Sequence, residues 1–313
     1  MMLAMCLAVS SDRKLVRMRV PYSLGLLVLM LSSQGLAQSP PRADKDQINC
    51  ASRPQYDPSR FQRVLTDVVS QETLLLEGPS WDYSLVRNCR LEGVKGDGIV
   101  IRNVKGVVVQ GCYIADVEGT GIRLSSTGSS SDVVLEGNRI VGAGENGISA
   151  AQRYEAGVDH QGLKILDNYI ENSGARSSKG LTHGIYVQTE DSLVEGNTIA
   201  GTRDGNGISI RSSGEVRCNR ILGISSAGKP AIRYYSDHVS GASKALVIDS
   251  NDIDSETVGI ELYDPVELKD RPGSIEHLVS HFVIRGNAIR APIPLKISKQ
   301  YDMPPFSIVK DVP

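Results

Sequence analysis

At 313 residues the chain could hold one large domain or two ordinary ones, and length alone does not choose between them. Gly 31 beside only 5% aromatic residues excludes a core built from large rings and implies many turns around thin, aliphatic packing. Lys+Arg 34 against Asp+Glu 36 leaves a formal net charge of -2, so the overall basic field that nucleic-acid binders use is missing and no nucleic-acid partner is expected.

The first predicted element is an export signal. Arg13, Lys14, Arg17 and Arg19 precede an apolar run from Leu24 to Leu31, then Ser-Ser-Gln and a small-residue site at Gly35-Leu36-Ala37. Cleavage after Ala37 predicts a secreted or periplasmic protein. No membrane span remains, because the run falls far below the ~18–20 residues that cross a bilayer. Met18 opens a tidier signal than Met1 and is the alternative start. Residues 38–56 are polar and proline-bearing and read as a linker. Cys6 leaves with the signal, while Cys50, Cys89, Cys112 and Cys218 stay in a compartment where disulfides form. Their spacings match no zinc pattern, and no metal ligand set is assigned.

Asp57-Pro58 supplies an N-cap and a first-turn proline, and Phe61, Val64, Leu65 and Val68 have the spacing of one helix face. The prediction is an N-terminal capping helix that opens a domain over 57–298, with the first irregular coil starting in the QETLLLEG stretch from Gln71 to Gly78.

From there the chain repeats. The unit is a hydrophobic strand, a small residue, Asn or Cys, any residue, and Ile or Leu: LVRNCRL, VVVQGCYI, VVLEGNRI, LKILDNYI, SLVEGNTI, EVRCNRI, VIDSNDI and VIRGNAI. Its array position is occupied in turn by Cys89, Cys112, Asn138, Asn168, Asn197, Asn219, Asn251 and Asn287. Between units lies a second strand beginning Gly-Ile, at Gly98, Gly121, Gly147, Gly184, Gly207 and Gly259, with Ala231-Ile232 and Pro294-Leu295 substituting in two coils. Short alternating strands cannot bury one face alone, but stacked coil on coil they share a continuous core. Asn can adopt a left-handed backbone and bond its own equivalent one coil away, so the copies should form a polar array inside the cylinder. Gly before Ile should permit the bend into the next strand. Cys89 and Cys112, at array positions, read as buried thiols rather than a disulfide. After Ala291, Pro292, Pro294, Pro304, Pro305 and Pro313 break the pattern, and 299–313 is expected to be an irregular tail.

The repeated G-I-x-[IVL] and x-[GDS]-N-x-I elements, over about Leu74 to Ile297, resemble the pectate-lyase-like superfamily of right-handed parallel β-helices. The resemblance implies an all-β, single-stranded solenoid. Its members include polysaccharide lyases, glycoside hydrolases, uronate epimerases and non-catalytic surface proteins. It also implies that the Gly-Ile strands form the sheet whose outer face holds substrate. Mannuronan epimerases carry Asp and His on such a strand, whereas HGIYVQ here has Tyr186 and Gln188.

Side chains alternate on a strand, so the second and fourth residues after each Gly face outward. Stacked ~4.8 Å apart, the middle coils bring Tyr186, Gln188, Arg211, Arg233, Tyr235, Glu261 and Tyr263 into one patch. The long turns 153–162 and 171–182 could wall it, with Arg153 on the first. Arginines suit an acidic polysaccharide, because a guanidinium binds a carboxylate through two hydrogen bonds. The candidate catalytic residues are Tyr186, His183, Arg211, Arg233 and Tyr235, with a tyrosine whose pKa of ~10 falls beside an arginine, or His183, as base. Gln188, Glu261, Tyr263 and Arg153 are candidate substrate-binding residues, and Ca2+ is the one cofactor left open, through Glu261. Two functions stand: lyase or epimerase chemistry on a uronate-containing polysaccharide, or non-catalytic glycan binding by an envelope β-helix.

Overall fold

Each repeat closes into a three-sided coil. The computed structural model describes residues 55–153, 156–224, 228–235, 243–263, 279–302 and 306–310. Within them the strands stack as three parallel sheets of ten, nine and nine strands. The first sheet holds the hydrophobic run before each array residue, the second the strand after it, and the third the Gly-Ile strands. The predicted signal and nearly all of the linker lie outside the described residues. The linker's last residue, Tyr56, brings its phenol beside the buried Glu136, and burial together with that carboxylate pushes its pKa up.

Register explains why the repeat works. In the second sheet Ile140 stacks between Ile114 and Ile170, and in the third Ile148 stacks between Ile122 and Ile185. All six are fully buried, and burial of each such side chain stabilises by roughly 1.5–3 kcal/mol.

The array forms at the turn between the first and second sheets. Asn138, Asn168, Asn197, Asn219 and Asn251 each donate from Nδ2 to the next Asn Oδ1 at 2.9–3.0 Å. The same Oδ1 also accepts the previous Asn backbone N–H. The left-handed backbone lies one residue earlier than expected, at Asn88, Gly111, Gly137, Asp167, Gly196, Cys218, Ser250 and Gly286. Hence the small or turn-forming residue before each array position. Cys89 and Cys112 are joined as a disulfide instead of remaining thiols, since coil stacking sets their Cα atoms 4.5 Å apart. Cys218 is also disulfide-bonded.

The glycine of each Gly-Ile pair serves close approach rather than bending. At Gly98 an added Cβ would sit 2.5 Å from the Gly121 carbonyl oxygen and 2.7 Å from Ile114 Cγ2.

Both ends differ from expectation. In place of an amphipathic capping helix there is one 3-10 turn, Pro58–Arg60, capped by the Asp57 carboxylate on Ser59 N–H at 3.0 Å. Strands Arg63–Thr66 and Val69–Ser70 follow it. Pairing with Ser84–Arg87 gives this segment the ladder bonds an isolated helix would lack, and β-branched Val64, Val68 and Val69 favour it. The first coil therefore opens at Arg63, ahead of Gln71, with Leu74–Glu77 as its third strand. At the other end Ser307–Lys310 is no irregular tail but the last strand of the first sheet, paired with His281–Arg285. Tyr234, Phe282, Tyr301 and Phe306 pack edge to face there, with successive centroids 5.2, 5.2 and 4.9 Å apart, as an aromatic plug.

Candidate functional site

The outer face of the third sheet is built by two rows of residues in register. One row runs Val100, Arg123, Ser149, Tyr186, Ser209, Arg233, Glu261 and Lys296. Beside it, Tyr235 stacks on Tyr263. The alternation read from Gly-Ile thus puts Tyr186, Arg211, Arg233, Tyr235, Glu261 and Tyr263 on one face.

These side chains hold one another. The Arg211 guanidinium lies over both Tyr235, 4.2 Å from the ring centroid, and Tyr186, at 5.1 Å, and its Nε donates to Ser209 Oγ at 3.1 Å. Arg233 lies over Tyr263 at 5.3 Å and donates through Nε and Nη2 to Glu261 Oε2, at 2.7 and 2.5 Å. Lys296 Nζ reaches Glu261 Oε1 at 2.7 Å. Glu261 is only 2% exposed and meets a cation at each oxygen. Two cations already offset its charge, which opposes the calcium ion considered for it, and no cluster of three metal-ligating side chains occurs among the described residues.

His183 and Gln188 belong to the layer beneath. His183 is buried and its ring stacks on Tyr186, centroids 5.6 Å apart and planes within 9°. Its Nδ1 accepts the Asn206 backbone N–H at 2.9 Å, while the His183 backbone N–H donates to Asn146 Oδ1 at 2.8 Å. Burial, then the charges of Arg211, Lys229 and Arg233, push its pKa down to about 3, so the ring is neutral at ordinary pH. Gln188, expected on the open face, is buried and accepts the Gln152 backbone N–H at 2.6 Å. Arg153 is exposed in a small hairpin, where it pairs antiparallel with Val158.

The long turns lie on opposite edges of the sheet. Arg153 to Gly162 follows strand Ile148–Ala150 as it leaves the sheet, whereas the turn after Tyr169–Glu171 leads into strand Ile185–Val187. The second is pinned by Asp204 of the next coil, whose carboxylate accepts the N–H groups of Gly180, Leu181 and Thr182 at 2.8, 2.9 and 3.1 Å. It also accepts the Thr182 hydroxyl at 2.9 Å. Burial raises the Asp204 pKa, but these bonds outweigh it and hold the value near about 2. Leu181 at the bend is left 66% exposed.

Two residues of this region escaped the sequence reading. Asp204 and Lys229 precede their Gly-Ile or Ala-Ile pairs, outside the two outward-facing positions that strand alternation defines. The only signal was a charged residue two or three positions before the Gly or Ala of the Gly-Ile or Ala-Ile pair.

Together the stacked coils and the arginine–tyrosine face define a right-handed parallel β-helix with a polar patch on one sheet. Comparison agrees on the fold: residues 61–178 match the family described as a right handed beta helix region. No curated protein matches the chain. Among solved structures, an alginate lyase from Paenibacillus sp. str. FPU-7 superposes with a TM-score of 0.55 at 13% identity, covering 73% of this chain and 74% of that one. The Azotobacter vinelandii mannuronan C-5 epimerase AlgE4 A-module aligns over 80% of this chain and 79% of its own, at 15% identity and a TM-score of 0.32. A GH87 alpha-1,3-glucanase catalytic unit from Streptomyces thermodiastaticus strain HF3-3 aligns over 70% and 48%, at 15% identity and 0.41. At these identities the likeness is one of fold.

Proposed function

We propose that the chain is a carbohydrate-active enzyme acting on a uronate-containing polysaccharide, by β-elimination or epimerisation, along the outer face of the third sheet. The observation that carries this reading is the pair of arginines set among tyrosine rings on one sheet face. A guanidinium binds a carboxylate through two parallel hydrogen bonds, and aromatic faces accept the apolar side of a sugar ring. The alginate lyase that shares the fold points toward the same kind of polymer.

The chemistry begins with removal of the proton at C5, next to the carboxyl carbon. An arginine on the carboxylate stabilises the charge that builds there in the transition state, which is where binding accelerates a reaction. Elimination then turns the C5 electron pair into a C4–C5 double bond and expels the C4 oxygen. Epimerisation instead returns a proton to C5 from the opposite side. Tyr186 and Tyr235 are the proposed proton-handling groups, because Arg211 places positive charge against both rings. His183 supports the Tyr186 ring, since its Nδ1 lone pair is taken by the Asn206 N–H.

The second reading is a glycan-binding β-helix without turnover. It is favoured by the commitment of Arg233 to Glu261 and of the His183 lone pair to the backbone. Incubation with alginate, pectate or a glycosaminoglycan separates the two. Unsaturated ends absorbing ultraviolet light identify a lyase, and solvent deuterium entering the uronate identifies an epimerase. Neither signal, with retention on a polyuronate column that Arg211→Ala weakens, assigns the binding class. We also propose that the chain is exported, a reading its disulfides support.

A further inference from the structure

We propose that Lys229 forms, with Arg233, an anion-binding subsite at the edge where the chain enters the third sheet, and that this subsite takes a carboxylate of the sugar chain. The carboxylate identity rests on the uronate reading above; the subsite itself does not.

Lys229 immediately precedes strand Pro230–Tyr235, which carries Arg233. Ile232 pairs with Ile208, so Lys229 enters the sheet on the coil that follows the one entered through Asp204. Its Nζ donates to the Gly180 carbonyl at 3.0 Å, across the coil between them and against the wall turn. Gly180 has a φ of +72°, and a Cβ there would run into the lysine's Nζ and Cε, so the turn is shaped around this ammonium.

A lone carbonyl is a weak partner for a whole positive charge. The acids whose charges reach Lys229 are Asp204 and Glu261, and Arg233 and Arg211 oppose them. Asp204 is consumed by three backbone N–H groups and a hydroxyl. Glu261 is held between Arg233 and Lys296. Burial first, and Arg233 next, lower the Lys229 pKa, as expected of a cation short of compensating charge. The same three cations converge electrostatically on His183, beneath Tyr186. An anion at this edge would relieve their mutual repulsion and give Lys229 a partner stronger than a carbonyl.

The test is calorimetric titration of the full chain with a defined oligouronate and with its carboxyl-reduced, neutral counterpart. Lys229→Gln should weaken the oligouronate by about tenfold, the equivalent of one charge-assisted bond, and leave the neutral sugar unchanged. Lys229→Arg should restore much of the loss. Equal weakening of both ligands would mean that Lys229 only props the wall turn, and no change in either would also overturn the proposal. Sulfate is the second probe, read as a shift in melting temperature. If wild type binds no oligouronate yet sulfate stabilises it more than Lys229→Gln, the subsite stands and the uronate reading falls. If sulfate stabilises the two proteins equally, the subsite is refuted.

Discussion

Arg211 and Arg233 carry the same charge on neighbouring coils, but their removal should have different consequences. Arg233→Ala leaves the buried Glu261 carboxylate with Lys296 as its remaining partner, and stranding a buried charge costs up to about 3 kcal/mol. Arg211 sits between two rings, and loss of exposed cation–π contacts costs about 1 kcal/mol. Product formation should vanish in both variants, with the melting temperature falling substantially only for Arg233→Ala. A thermal melt run beside the turnover assay checks this. Equal melting losses would mean that Glu261 is not sustained by Arg233. His183 makes a prediction in pH. Its folded pKa of about 3 lies below the ordinary 6.5, so between those values the unfolded chain binds the extra proton. Stability is then complete above about 6.5 and declines as pH falls toward 3. Asp204, folded at about 2 against 3.8, adds a further loss below 3.8. Denaturant unfolding from pH 7 to 4 should show the decline, and His183→Asn should make it shallower. His160, also buried with a lowered pKa, will retain part of the slope.

At the scale of elements, the turn folded over Asp204 is the part of the site most open to disturbance. Asp204→Asn replaces one carboxylate oxygen by a donor and so removes an acceptor from a set of three consecutive N–H groups. Hydrogen exchange should rise at Gly180, Leu181 and Thr182 while the stacked strands keep their protection; unchanged exchange there would show that the turn does not depend on Asp204. This element also marks how far the sequence could be read. The outward row followed from period-two alternation anchored at Gly-Ile, because a strand repeats in register on every coil. Lys229 and Asp204 reach the site through turn geometry, which has no period, so alternation could not place them. The capping helix failed for a related reason: Phe61, Val64, Leu65 and Val68 fit a helix face, but an unpaired edge at Ser84–Arg87 offered the same residues a ladder. The disulfide was legible in principle. Coils ~4.8 Å apart bring any two neighbouring array cysteines within bridging distance, and weighing residue burial alone concealed it.

For the whole molecule, export is the first matter to test. N-terminal sequencing of protein recovered from the cell envelope should begin at Gln38, whereas an intact Met1 or Met18 on secreted material would refute the signal. The asparagine array has a further consequence. Its amides run head to tail through Asn138, Asn168, Asn197, Asn219, Asn251 and Asn287, each N–H pointing toward the C-terminal end. The cylinder therefore contains a polar filament with a sense of direction, and aligned hydrogen bonds of this kind polarise one another. A single reversed amide would set oxygen against oxygen on one side and NH2 against NH2 on the other, so the filament tolerates one orientation throughout. Asn197→Ala should cut it in two and cost about 1–3 kcal/mol, compared with almost nothing for the exposed Lys164→Ala. The side-chain amide protons of Asn138 and Asn251, on either side of the cut, should then exchange faster than in wild type, because each half has lost the induction of the other.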